Sequence, residues 1–198
     1  MTEPVFFYDF SSPYSYMSAH RVDEALPRAP RWQPILYGSL IQAIGKTPWS
    51  MREGAARDAQ MRECEQRAAA LGLPLRWPRE WPLGTYSVLA LRAALVAQEH
   101  GLLREFSLAA YEQGLGLGRD LTDLDVVLEA AEEAGVEPAA VREGVERPEV
   151  KERLRNATEE ARELGVTGIP TIYTGDELYW GDDRLEDAAQ ALRDGNPA

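Results

Sequence analysis

Strand-forming sequence occurs only at the two ends of this 198-residue chain, and about 120 residues of helix-forming sequence lie between them. Residues 4–10 read as a buried strand, because Val5, Phe6, Phe7, Tyr8 and Phe10 are β-branched or aromatic. Ser11-Ser12-Pro13 then reads as a helix start, with Ser12 as N-cap and Pro13 at the first helical position, where its missing N–H is harmless. A helix is expected over 14–26, ending before Pro27, and a second strand over 31–37. Pro34 interrupts that strand, which places it at a sheet edge or a bulge. Late in the chain, 170–174 and 177–180 flank Gly175-Asp176 as a hairpin, and a last helix covers 185–193. The order βαβ, helical block, ββα requires the two ends to meet, since neither half buries its sheet alone.

The central block is expected to hold helices at 52–71, 85–99, 102–113, 123–134, 139–145 and 149–164. Thr122 or Asp123 is the cap candidate for the helix at 123–134, and Pro138 stands near the start of the next. Residues 73–82 contain Pro74, Pro78 and Pro82 and read as a loop. Gly114-Leu-Gly-Leu-Gly118 follows no strand and reads as a helix-ending turn, not a nucleotide loop.

Charge and cysteine count exclude several functions. Thirty-three Asp and Glu against 21 Lys and Arg give a formal charge of -12, unsuited to phosphate backbones, so nucleic acid is not an expected partner. Hydrophobic residues at 44% and charged residues at 27% are ordinary for a globular protein. No apolar run approaches a membrane span and the start lacks signal-peptide character, so the expected location is the cytoplasm. Cys64 is the single cysteine, which rules out a Cys-x-x-Cys redox pair. With only His20 and His100 beside it, no metal site is expected. His20 lies too far along its helix to serve Ser12 as a base, and Cys64 reads as a half-buried spectator.

Three segments together carry a resemblance: residues 7–16 (Phe-Tyr-Asp-Phe-Ser-Ser-Pro-Tyr-Ser-Tyr), 165–171 (Gly-Val-Thr-Gly-Ile-Pro-Thr) and 180–185 (Trp-Gly-Asp-Asp-Arg-Leu). The chain resembles the 2-hydroxychromene-2-carboxylate isomerases and the kappa-class glutathione transferases, within the broader DsbA-like group. The resemblance implies an α/β thioredoxin-like fold built from 1–39 and 164–198, with an all-helical insertion over 40–163. It implies glutathione as cofactor, a small aromatic or electrophilic substrate, and a homodimer. Ser12 would bind and activate the glutathione sulfur, flanked by Ser11, Pro13 and Tyr14. Ile169 would precede a cis Pro170 and offer its backbone to the cysteinyl unit. Asp182, Asp183 and Arg184 would hold the γ-glutamyl end or shape its pocket; Lys46 and Trp49 are further binding candidates, Lys46 as a charge that steers an anionic substrate carboxylate toward the cleft. The family often carries Asn or Ser at the position of Asp182, and Asn near that of Lys46.

The chemistry is self-consistent. Lowering a thiol pKa by about two units takes about 2.7 kcal/mol. A helix N-terminus supplies about 0.3–1 kcal/mol, up to about 2 when partly buried, and a hydrogen bond to a charged group about 1.5–3 kcal/mol. Serine, unlike cysteine, cannot exchange disulfides. Each residue also has a plainer reading: Ser12 as a cap alone, Asp182 and Asp183 as helix-start carboxylates, Arg184 as a surface ion pair, Lys46 as a solvated loop lysine. Trp49, Trp77 and Trp81 are either packing residues or an aromatic wall. A thiol- or partner-binding module of the same fold, without catalysis, is the alternative function.

Overall fold

A computed structural model describes residues 3–79, 81–82 and 86–195. Four strands form one sheet: β1 (Val5–Tyr8), β2 (Arg31–Pro34), β3 (Thr171–Tyr173) and β4 (Leu178–Trp180), in the order β2-β1-β3-β4. β1 runs parallel to β2, with Val5 opposite Arg31 and Tyr8 opposite Pro34. It runs antiparallel to β3, with Val5 opposite Tyr173 and Phe7 opposite Thr171. Pro34 therefore sits on an edge strand, where a missing N–H costs no ladder bond. β3 and β4 form the expected hairpin.

β1 is buried along its whole length because both faces of the sheet are covered. Its side chains alternate. Phe6 and Tyr8 enter the larger core with Trp32, Phe106 and Tyr111, while Val5 and Phe7 enter a smaller one with Ile35, Leu40 and Val166. Tyr8 donates or accepts one hydrogen bond with the Ser107 hydroxyl at 2.6 Å, so its buried oxygen is satisfied.

The expected helix over 14–26 is two helices, α1 (Pro13–Ala19) and α2 (Val22–Ala25). The break carries Arg21 to the side chains of Asp182 and Glu186, contacts invisible to a local reading. A second departure is α3 (Tyr37–Ala43), in a segment whose β-branched and aromatic start reads as strand. The helical block comprises α4 (Ala55–Ala70), α5 (Val88–Glu99), α6 (Leu103–Tyr111), α7 (Leu124–Glu133), α8 (Pro138–Gly144) and α9 (Pro148–Glu163). Thr85, the expected start of the helix that became α5, lies outside the described residues. Asp123 caps α7 by accepting the Asp125 N–H. Residues Glu112–Gly116 continue α6 as a wider π turn, which ends the helix at the glycine run.

α5 is the hub of this block, and its Ala90, Ala93, Ala94 and Ala97 are fully buried. Small side chains let neighbouring backbones approach: a Cβ on Gly144 of α8 would lie 2.5 Å from a Val96 methyl. The last helix, α10 (Leu185–Asp194), buries Leu185, Ala188, Ala189 and Leu192 against the larger core. No helix among the described residues is long and apolar enough to cross a membrane.

Candidate functional site

The chain end of β1 turns into α1 through Asp9 to Ser12, and this turn forms the floor of a cavity of about 580 Å³. α3, α4, the 48–51 turn, Trp81 and the β4–α10 junction complete its walls. Segments more than 150 residues apart thus converge on one volume because β1 pairs with β3.

Ser12 is the N-cap of α1, with extended backbone (φ -100, ψ 119), and its Oγ accepts the Ser15 N–H at 3.1 Å. A serine hydroxyl has two lone pairs and one hydrogen, so the cap bond leaves the hydrogen free to donate. The side chain is nearly buried yet lines the cavity. Pro13 occupies the first position of α1, and Ser11 and Tyr14 lie on the wall beside it. α1 has seven residues, so its axial field is weaker than a helix over 14–26 would give.

Across the floor, Ile169 lines the cavity and the Ile169–Pro170 peptide is cis. Among the described residues neither the Ile169 N–H nor its C=O has a hydrogen-bond partner. Pro170 itself lies behind the wall, where its C=O accepts the Gly181 N–H at 2.9 Å. A Cβ at Gly168 would lie 2.1 Å from the Trp180 indole nitrogen, so any larger residue there requires the half-exposed indole to move.

One side of the cavity is aromatic. Tyr14 meets Trp49 edge-on at 6.4 Å, Trp49 meets Trp81 at 5.4 Å, and Trp81 lies against Trp77 at 4.4 Å, both tryptophan pairs tilted by 47°. Trp49 and Trp81 face the cavity, whereas Trp77 packs behind them and donates to Glu65. Trp81 is fixed by its indole N–H on the Ser11 carbonyl at 3.3 Å. Trp180 and Tyr86 stand at the mouth with 56% and 63% of their surface exposed.

The acidic end differs from the sequence expectation. Asp182 is fully buried, and its carboxylate takes the Ser18 hydroxyl at 2.9 Å, Arg21 at 3.1 Å and the Arg67 Nε. It is an anchor between α1, α4 and the 182–184 turn, with little capacity left for a ligand. Asp183 is exposed and does line the cavity. Arg184 is turned away, paired with Asp187 and lying over the Tyr179 ring at 5.7 Å. Lys46 is exposed and does not line the cavity, because Gly45 turns the loop outward after α3. Of the residues expected from sequence, Ser11, Ser12, Pro13, Tyr14, Trp49, Ile169, Asp182 and Asp183 share this cavity, while Lys46, Pro170 and Arg184 do not.

The sequence reading missed Asp9 and Arg67. Asp9 is buried on the floor, with one carboxylate oxygen accepting the Ser11 N–H at 2.9 Å and the other the Tyr37 N–H at 2.8 Å. The Ser87 hydroxyl also bonds it. Burial raises its pKa despite these hydrogen bonds. An acid inside an apolar strand run, Phe7-Tyr-Asp-Phe10, was the available signal. Cys64 is fully buried, more so than expected, and is hydrogen-bonded with the Tyr14 hydroxyl; burial pushes its thiol up to about 11. His20 is exposed, packs edge-on against Tyr16 at 5.1 Å and is outside the cavity.

Known proteins share this architecture along nearly the whole chain. A 2-hydroxychromene-2-carboxylate isomerase from Sphingobium xenophagum is 29% identical over 191 residues, covering 94% of this chain and 96% of that protein. Glutathione S-transferase kappa 1 from Homo sapiens is 24% identical over 203 residues, covering 94% and 88%. The solved structure of a 2-hydroxychromene-2-carboxylate isomerase superposes with a TM-score of 0.87 at 22% identity, over 98% of this chain and 95% of that one. The model of the DSBA-like thioredoxin domain matches residues 5–193, which span the split sheet and every helix between its halves, and the chain belongs to that family.

Proposed function

We propose that this protein is a glutathione-dependent isomerase of the 2-hydroxychromene-2-carboxylate type, or a transferase of the kappa type, acting on a small flat aromatic substrate. The observation that carries the reading is the free hydroxyl hydrogen of Ser12 on the floor of an aromatic-walled cavity. The volume of about 580 Å³ lies within the range of small-molecule sites, about 300–1,000 Å³. The names of the similar proteins support the same chemistry.

The residues present fit glutathione. The unpartnered N–H and C=O of Ile169 match the paired donor and acceptor of a peptide's cysteinyl unit. When bound, glutathione would supply a thiolate whose reversible addition to a conjugated double bond allows rotation about it. Ser12 would donate its hydroxyl hydrogen to the sulfur and so favour the thiolate, while its lone pairs keep the helix cap. Trp49 and Trp81 hold a flat ring against one wall and exclude water, which orients it relative to Ser12. Because α1 is short, the Ser12 hydrogen bond supplies most of the stabilisation.

The test is a calorimetric glutathione titration on the wild type and on Ser12→Ala, with ultraviolet thiolate absorbance recorded across pH. Saturable binding with a lowered thiol pKa that returns toward its free value in Ser12→Ala supports the reading. No binding at millimolar glutathione overturns it. Tight binding without any rate enhancement on aromatic electrophiles or chromene carboxylates would favour a non-catalytic thiol-binding module.

A further inference from the structure

The lining of the cavity is uneven in charge. Trp49, Trp81 and Tyr86, with Ile41 and Leu36, give it an apolar wall. Trp81 is pinned twice: its indole N–H donates to the Ser11 carbonyl at 3.3 Å, and its own C=O accepts the Arg57 guanidinium at 3.2 Å. The wall therefore stands in place before a ligand arrives.

Glu63, Asp182 and Asp183 bring carboxylates to the same volume, against one cation, Arg67, among the described lining residues. Asp182 holds the Arg67 Nε and takes Arg21 at 3.1 Å, so the charge of Arg67 is already matched. Asp183 acts on Arg67 through space as well. Glu63 and Asp183 are exposed. Glu63 accepts a hydrogen bond from the neutral Gln60 amide at 3.0 Å, and neither carboxylate forms an ion pair among the described residues. Asp9 on the floor spends its oxygens on the Ser11 and Tyr37 N–H groups.

A ligand carboxylate entering this volume would meet Glu63 and Asp183 unbalanced, and a bound glutathione with its thiol ionised would add further negative charge. Lys46, expected from sequence to steer a substrate carboxylate, stands outside the lining. Residues 80 and 83–85, Glu and Leu-Gly-Thr, add no Lys or Arg to the segment that carries Trp81 and Tyr86.

We infer that the aromatic compartment selects by charge, and that its substrate is a planar aromatic electrophile without a carboxylate. The inference rests on the flat-aromatic half of the proposed function and narrows it. A chromene carboxylate carries the charge that this lining repels, whereas an uncharged acceptor of the transferase type does not.

The experiment titrates 2-naphthamide and 2-naphthoate, planar rings of one size that differ in charge, into the protein with and without glutathione, read by calorimetry and tryptophan fluorescence. The wild type should bind the amide roughly tenfold or more tightly than the carboxylate, the size of one unbalanced like charge within several ångströms. The gap should widen when glutathione is bound and narrow at high salt. Trp49→Ala should weaken both probes together, which places them on the aromatic wall. Glu63→Gln combined with Asp183→Asn, both at exposed positions, should tighten naphthoate several-fold relative to the amide. Equal affinity for the two probes, tighter naphthoate, or a gap that the double substitution leaves intact overturns the inference and leaves the glutathione reading standing. Amide preference in a protein that fails to bind glutathione supports the inference and overturns the cofactor reading alone. Binding of neither probe overturns the flat-aromatic reading and this inference with it.

Discussion

Asp9 accepts the backbone N–H of Tyr37 at 2.8 Å, which ties the end of β1 to the first turn of α3 beneath the cavity. The same carboxyl holds the Ser11 N–H, so a single side chain sets the spacing between Ser12 and the α3 wall. Its pKa is raised from 3.8, which fixes the sign of its effect on stability. A raised acid binds its proton more tightly in the folded state, so stability falls as pH rises from about 3.8 toward the folded pKa. Asp9→Asn should abolish that slope. Urea denaturation from pH 4 to 8 should show the stability of the wild type relative to Asp9→Asn declining with pH; parallel curves would refute this.

Ser12 has two separable duties. Ser12→Ala removes the cap and should cost about 0.5–2 kcal/mol of stability, whereas Ser12→Gly should cost only a few tenths. Both lose the hydroxyl equally, so both should lose glutathione thiol activation to the same extent. Denaturant melts alongside thiolate absorbance test this, and thiolate retained in Ser12→Gly would assign Ser12 to capping alone.

Cys64 should be inert in the native state. Its thiol is fully buried and displaced up to about 11, so almost no thiolate exists at pH 8. Labelling with a chromogenic disulfide reagent should proceed only through unfolding, with a rate that rises with denaturant. Rapid stoichiometric labelling in buffer would contradict the burial.

Gly168 and Trp180 form a steric pair. A Cβ at 168 would meet the indole at 2.1 Å, so Gly168→Ala must expel the ring or shift the strand. Trp180→Ala should relieve the conflict. A double-mutant cycle should therefore give a Gly168→Ala cost of about 1–3 kcal/mol in the wild type, typical of overpacking, and a smaller one in Trp180→Ala.

The sheet was legible because β1, β3 and β4 are dense in aromatic and β-branched residues, and because Pro34 permits only an edge or a bulge. Ser12 was legible as a helix cap from Ser-Ser-Pro, whereas Ile169 and Asp183 came only from the resemblance carried by 165–171 and 180–185; all three line one cavity. α3 was not, because Ile35, Leu36 and Tyr37 favour a strand until tertiary contacts claim them: Leu36 N–H bonds the Thr158 hydroxyl and Tyr37 N–H bonds Asp9. The division of α1 from α2 has the same origin in long-range pairing of Arg21. Arg67 was illegible for a different reason. On α4 it is one arginine among several in a polar helix, and only the fold brings Asp182 to it across 115 positions.

The pairing of β1 with β3 also orders events during synthesis. β1 emerges from the ribosome well ahead of its antiparallel partner, which lies more than 160 residues later. β2 pairs with its opposite edge, so until then the edge that will face β3 has no strand partner, and closing so long a loop is slow. Ser12 leaves the exit tunnel long before Ile169 and Asp183 do, so no chain that stops short of Asp183 can present the complete cavity. Binding competence thereby reports that synthesis has passed the β4–α10 junction.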